Sequence, residues 1–285
     1  MKKYVLIALI VITGVGLISY PYVASYLSAR HASTVVKDYH QEVEKLDPAL
    51  IASMLEKARV YNDALAGDPV HDPFIPGSGI VRDQNYASIL DLGGGVMGSL
   101  SIPAIRVDLP IYHGASDAVL RKGVGHIEGT SFPIGGKRTH AVLTGHTGVS
   151  NARLFTDLVT LKKGDTFFIH VLDKTLAYQV DRIEVVLPSE TEDLRLVPDK
   201  DYVTLVTCTP YGINSHRLFV RGVRVGYTPE LEKAAAAQKK GLSQEQRMVI
   251  TAAAITGSIM ALLILLTALF RGRHDKRAKH YQPQH

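Results

Sequence analysis

Uncharged apolar residues run from 4 to 20 and again from 249 to 270, and between them the chain is patterned in two different ways. As helices at about 1.5 Å per residue the two runs would reach roughly 25 Å and 33 Å, and the second is enough for a bilayer core. The first begins after Lys2 and Lys3, and residues 21–24 can carry it into the interface. It also suits a secretory signal, but no small-residue cleavage site follows, so an uncleaved anchor over 1–24 is the expectation. Basic residues lie outside both runs, which places both termini in the cytoplasm and residues 25–248 across the membrane.

Inside that frame, residues 25–67 have helical texture. An earlier helix is expected over 33–46. Asp47 and Pro48 then make an N-cap and first-turn pair. Leu50, Ile51, Met54, Leu55, Ala58, Tyr61 and Leu65 recur at helical spacing until Gly67. Residues 68–80 carry Pro69, Pro73 and Pro76 with Gly77 and Gly79, and read as an extended loop. Phe74 in its middle needs a surface to pack on. Over 81–227 the texture becomes β-rich, with expected strands at 98–102, 141–144, 165–171, 176–187, 202–207 and 217–225. Frequent Gly and Pro turns between them suggest a compact barrel or sandwich. Residues 228–248 read as a polar helix returning to the membrane, and 271–285 as a basic cytoplasmic tail.

The net charge of +5 changes little. Setting aside Lys2, Lys3, Arg271, Arg273, Asp275, Lys276, Arg277 and Lys279 leaves 25 basic residues against 26 acidic ones. The basic charge is terminal, which argues against a nucleic-acid partner. One cysteine, Cys208, cannot form an internal disulfide, so it is either an inert buried thiol or a reactive one.

Its surroundings favour reactivity. Residues 202–208 form a β-branched strand, 209–216 a turn, and Arg217 opens the next strand. If these strands pair, the guanidinium faces the thiol, where a permanent cation favours thiolate and can stabilise an oxyanion. A cysteine nucleophile also needs a proton-handling partner, and His146, flanked by Gly145 and Gly148 after a strand-like run, is the candidate. Thr207 is a candidate for shaping the site, although a β-branched strand residue needs no functional explanation.

The segment Thr-Leu-Val-Thr-Cys-Thr-Pro-Tyr-Gly-Ile-Asn-Ser-His-Arg at 204–217 resembles the active-site segment of sortases, the membrane-bound cysteine transpeptidases of Gram-positive bacteria. Leu-Thr-Gly-His at 143–146 resembles the segment that holds their histidine. The order His, Cys, Arg is also the family's, and the likeness extends through residues 102–112 and 123–129. The resemblance implies a mainly β chain with a sortase-type β-barrel, N-terminal helices and a lid loop, flanked by two transmembrane helices. It implies Cys208, His146 and Arg217 as catalytic residues and no cofactor.

The second apolar run and Asp72-Pro73-Phe74 resemble the pilus-assembling group, class C. There the lid Asp pairs with the catalytic Arg and the aromatic ring covers the Cys. The implied partners are pilins or other surface proteins with an LPXTG-type sorting signal, cleaved between Thr and Gly and joined through a lysine isopeptide bond. A housekeeping sortase, which anchors proteins to a cell-wall precursor, is the enzyme alternative; the second membrane run and the lid speak against it. A metal-binding or adhesive module is the non-catalytic alternative, since His113, His126, His140 and His146 lie close in sequence, although their spacing fits no strong ligand motif.

Overall fold

The computed structural model describes residues 2–75, 83–148, 154–237 and, within 250–258, all but 252 and 255. The chain divides into two units, 1–239 and 240–285. Of the second unit, the described residues are helical.

The first unit opens with one helix, α1 (Lys2–Glu44). Sequence reading separates a membrane run from a later helix at 33–46; here the two are continuous, and Pro21 lies inside. Among the described residues, no helix is long and apolar enough to cross a membrane. The expected span at 249–270 lies largely outside the described residues, as do 76–80 of the loop and the tail 271–285.

Helix α2 (Pro48–Ala64) starts where the Asp-Pro pair sets it: Asp47 is extended and its carboxylate accepts from Ala49 N at 2.7 Å. This satisfies a backbone donor that has no partner inside the helix. The helix ends when Leu65 turns extended, two residues before Gly67 takes φ +84°.

Both helices are pinned to the barrel by buried polar side chains. The Tyr39 hydroxyl donates to Met97 O (3.1 Å) and accepts from Leu172 N (2.8 Å). Asn62 exchanges two bonds with the backbone of Phe132 (3.1 and 2.7 Å). A buried hydroxyl or amide is tolerated only where its bonds are made, so each of these residues fixes a docking position.

Eight strands close the barrel: β1 (Val96–Ile102), β2 (Val107–His113), β3 (Val124–His126), β4 (Thr139–Thr144), β5 (Thr166–Val171), β6 (Lys174–Val186), β7 (Asp201–Thr209) and β8 (His216–Val225). Their order is β1-β2-β3-β4-β7-β8-β6-β5, and β5 returns to β1. The β2–β3 and β4–β7 pairs are parallel and the others antiparallel. Closure removes the free edges and leaves a core between the strands, with Leu100, Ile111, Phe167, Tyr178, Leu205 and Val220 fully buried.

Two short helices, α3 (Gln84–Ser88) and α4 (Asp117–Leu120), flank the barrel. Helix α5 (Pro229–Ala237) packs Ala235 and Leu231 against Phe168 and Ala177; residues 238–248 of the expected return helix lie outside the described residues.

Candidate active site

The site is assembled at one end of three strands. In the antiparallel β7–β8 pair Cys208 stands directly opposite Arg217. Directly opposed residues project to the same face of a sheet, so thiol and guanidinium are neighbours by register. On the other side of β7, the parallel ladder with β4 ends at Thr144 opposite Val206. Two residues further along each chain lie His146 and Cys208. The turn is locked there: Gly145 N donates to Val206 O at 3.1 Å, and the buried Thr207 hydroxyl donates to Gly145 O at 2.7 Å. Thr207 thus has a positioning contact that its residue type alone did not reveal.

Glycine is required at 145 by close approach, because a Cβ there would meet the Phe155 ring at 2.9 Å. Phe155 N also donates to His146 O at 3.1 Å, which fastens the backbone of the histidine to the following segment.

The loop after α2 enters this site. Asp72, only 4% exposed, grips Arg217 with both oxygens: Nε to Oδ1 is 2.8 Å and Nη2 to Oδ2 is 2.7 Å. The remaining guanidinium nitrogen, Nη1, donates to Asn214 O and His216 O at 3.0 Å each. All three nitrogens of Arg217 are therefore occupied. Phe74 follows, its ring centroid 5.7 Å from that of His146 and 5.1 Å from the Arg217 guanidinium carbon. The cation lies near an aromatic ring in the range of cation–π attraction.

His146 is half-buried, and its Nε2 lies 3.3 Å from Oδ1 of the exposed Asp117 in the first turn of α4. The sequence holds a weak sign of Asp117, an acid directly after Ser116 before a short apolar run, but nothing there links it to a histidine 29 positions away.

Cys208 is 8% exposed. Burial pushes its pKa up, the Arg217 guanidinium pulls it down, and the Asp72 carboxylate pushes it up again. In this arrangement the cysteine is a shielded thiol rather than a standing thiolate.

The other histidines of the 113–146 stretch go elsewhere. His113 faces Gly95 O and Ile89 O, His126 faces the Tyr86 hydroxyl and Ser131 O, and His140 faces Arg195 O and the Thr204 hydroxyl. Among the described residues, no group of three His, Cys, Asp or Glu side chains is placed to hold a metal ion.

The closed eight-stranded barrel, with Cys208 and Arg217 near the ends of β7 and β8 and His146 just after β4, is similar to known proteins. A family model for the sortase domain matches residues 100–225. Sortase D of Bacillus subtilis (strain 168) is 30% identical over 145 residues, 50% of this chain and 70% of that protein. Sortase A of Bacillus anthracis is 32% identical over 133 residues, and the match spans 60% of its length. Among solved structures, sortase C-1 of Streptococcus pneumoniae is 46% identical with a TM-score of 0.66, covering 68% of this chain and 100% of that one. The pilus-related sortase C of Group B Streptococcus is 44% identical with a TM-score of 0.64, covering 67% and 97%. The chain belongs to the sortase family.

Proposed function

We propose that this chain is a class C, pilus-assembling sortase: a cysteine transpeptidase that cleaves an LPXTG-type sorting signal between Thr and Gly and transfers the acyl group to a lysine of another pilin. The observation that carries the reading is the cross-strand Cys208–Arg217 pair held closed by the bidentate Asp72. The similarity to a pilus-related sortase C supports the subgroup.

In this reaction the Cys208 proton passes to His146 and the thiolate attacks the threonine carbonyl carbon. The C–S bond forms and the carbonyl π electrons move to oxygen. Arg217 donates to that oxyanion, which is the one new charge of the tetrahedral species. Collapse breaks the C–N bond, and the proton on His146 goes to the departing glycine amine, leaving a thioester on Cys208. A lysine amine then attacks the thioester and gives its proton to His146. The second tetrahedral species expels the Cys208 thiolate, and the isopeptide bond remains.

While Asp72 neutralises Arg217 and holds its Nε and Nη2, the guanidinium is poorly placed to serve an oxyanion, and Cys208, 8% exposed, is closed to substrate. Residues 68–80 therefore act as a lid that must withdraw before each turnover. The apolar runs at 4–20 and 249–270, each bordered by basic residues, support a membrane tether with the catalytic domain outside and both termini in the cytoplasm.

The test mixes the full chain with an LPXTG-type peptide and follows the products by mass spectrometry, alongside Asp72→Ala and Cys208→Ala. A thioester on Cys208 with cleavage after Thr is expected, stronger in Asp72→Ala and absent in Cys208→Ala. Folded protein that forms no adduct, with or without Asp72, would sink the reading.

A further inference from the structure

The imidazole of His146 has two nitrogens, and the structure engages one. Nε2 lies 3.3 Å from Asp117 Oδ1, and among the described residues the ring makes no other hydrogen bond. The second oxygen of Asp117 is also held: Oδ2 accepts from Arg121 Nε at 2.9 Å, one helical turn along. The Arg121 bond, with a smaller contribution from His146, keeps the Asp117 carboxyl below the usual carboxylate range. An ionised carboxylate only accepts, so the nitrogen facing it carries the hydrogen. A neutral imidazole with its hydrogen on Nε2 presents its lone pair on Nδ1.

We propose that Asp117 is a positioning residue for the transfer reaction: it holds His146 as the Nε2–H tautomer and makes Nδ1 the nitrogen that exchanges protons with thiol and amines. The proposal rests on the transpeptidase reading and deepens it.

The proton path then has defined ends. The Cys208 proton goes to Nδ1, giving an imidazolium whose Nε2–H still faces Asp117. The Nδ1 proton passes to the departing glycine amine, which returns the ring to the Nε2–H tautomer. The incoming lysine amine later gives its proton to the same Nδ1. No step needs the ring to turn over.

Asp117 is exposed, so screening leaves the pair little stabilising energy, and its effect is orientation. Its own place is secured locally. It stands in the first turn of α4 directly after the extended Ser116, and Arg121 holds its far oxygen. The chain from β2 into α4 passes close over β3 at Gly125, which accepts no side chain: a Cβ there would lie 2.5 Å from Gly114 O.

The tautomer is read directly by 15N spectra of the full chain labelled at histidine, at a pH where His146 is neutral, with His146→Asn identifying its signals. Expected is a protonated Nε2 and an unprotonated Nδ1, giving way to a mixture in Asp117→Ala. In the peptide assay, Asp117→Ala and Asp117→Asn are expected to lower kcat about tenfold with KM little changed, and Asp117→Glu to recover part of it. An Nδ1–H tautomer in the unaltered chain, or an Asp117→Ala chain with unchanged kcat, would overturn the proposal. Failure of the unaltered chain and of Asp72→Ala to form any thioester would instead overturn the transpeptidase reading, and the spectra would still decide the tautomer.

Discussion

At the scale of single residues, the contact of Asp72 with Arg217 is electrostatic as much as steric. Asp72 and Arg217 are both buried, so each needs the other: either charge left alone at that depth would be costly. The Cys208 thiol is made less acidic in two ways, by burial and by the nearby Asp72 carboxylate, against the pull of Arg217. Asp72→Ala removes the carboxylate and its hold on the loop. The thiol pKa is then expected to fall, since the group that disfavours the anion has gone and the guanidinium that favours it remains. Alkylation by iodoacetamide as a function of pH reads this directly. The midpoint should move to lower pH, and the rate at neutral pH should rise about tenfold for each unit of the shift. An unchanged midpoint would mean that Asp72 closes the site without tuning it.

At the scale of elements, the histidine is delivered by the residues directly after β4, and these are held by contacts from β7. Thr207→Val keeps the shape of the side chain and removes the hydrogen bond to Gly145 O. A cost of about 1–3 kcal/mol is expected, the usual penalty for leaving a buried acceptor without its donor. Turnover should fall more than stability accounts for, because His146 is the next residue along. Gly145→Ala presses on the Phe155 ring, and a similar loss of about 1–3 kcal/mol is expected from overpacking. Thermal unfolding and kcat measured on the same two variants would test both; if stability falls and kcat does not, the turn does not position the histidine. These elements also show what the sequence could and could not reveal. Six strands were legible from β-branched runs. Strands β2 and β3 were not, because Pro110 sits in one and the other is three residues long. Pro110 is tolerated because pairing with β3 begins only at Ile111. Cys208, His146, Arg217 and Asp72 stood out by residue type and by their likeness to a known pattern. Asp117 and the role of Thr207 did not, because both depend on through-space partners in other elements.

At the scale of the whole molecule, two buried histidines tie the barrel to the segments that surround it, and they make its stability depend on pH. His126, in β3, bonds Ser131 O and the hydroxyl of Tyr86 from α3; His140, in β4, bonds Arg195 O before β7. Burial is the main cause that lowers their pKa values to about 3 and about 4, with the bonds to Ser131 O and Arg195 O opposing it. Both stay neutral in the folded chain across the range where an unfolded histidine, near 6.5, takes up a proton. The unfolded chain therefore binds more protons below that value, and stability falls as pH falls. The contribution is complete above about pH 6.5 and declines until the folded values are reached, at about 1.4 kcal/mol per unit for each group. At pH 5 the combined loss is about 4 kcal/mol. This is a large part of the margin of an ordinary domain. Denaturant unfolding at a series of pH values between 7 and 5 should show that slope, and His126→Gln and His140→Gln should each flatten it by about half, whatever they do to stability at pH 7. Identical slopes in all three chains would place the acid sensitivity elsewhere. The dependence matters for an enzyme proposed to work outside the membrane, because the barrel that carries its site would loosen in mild acid.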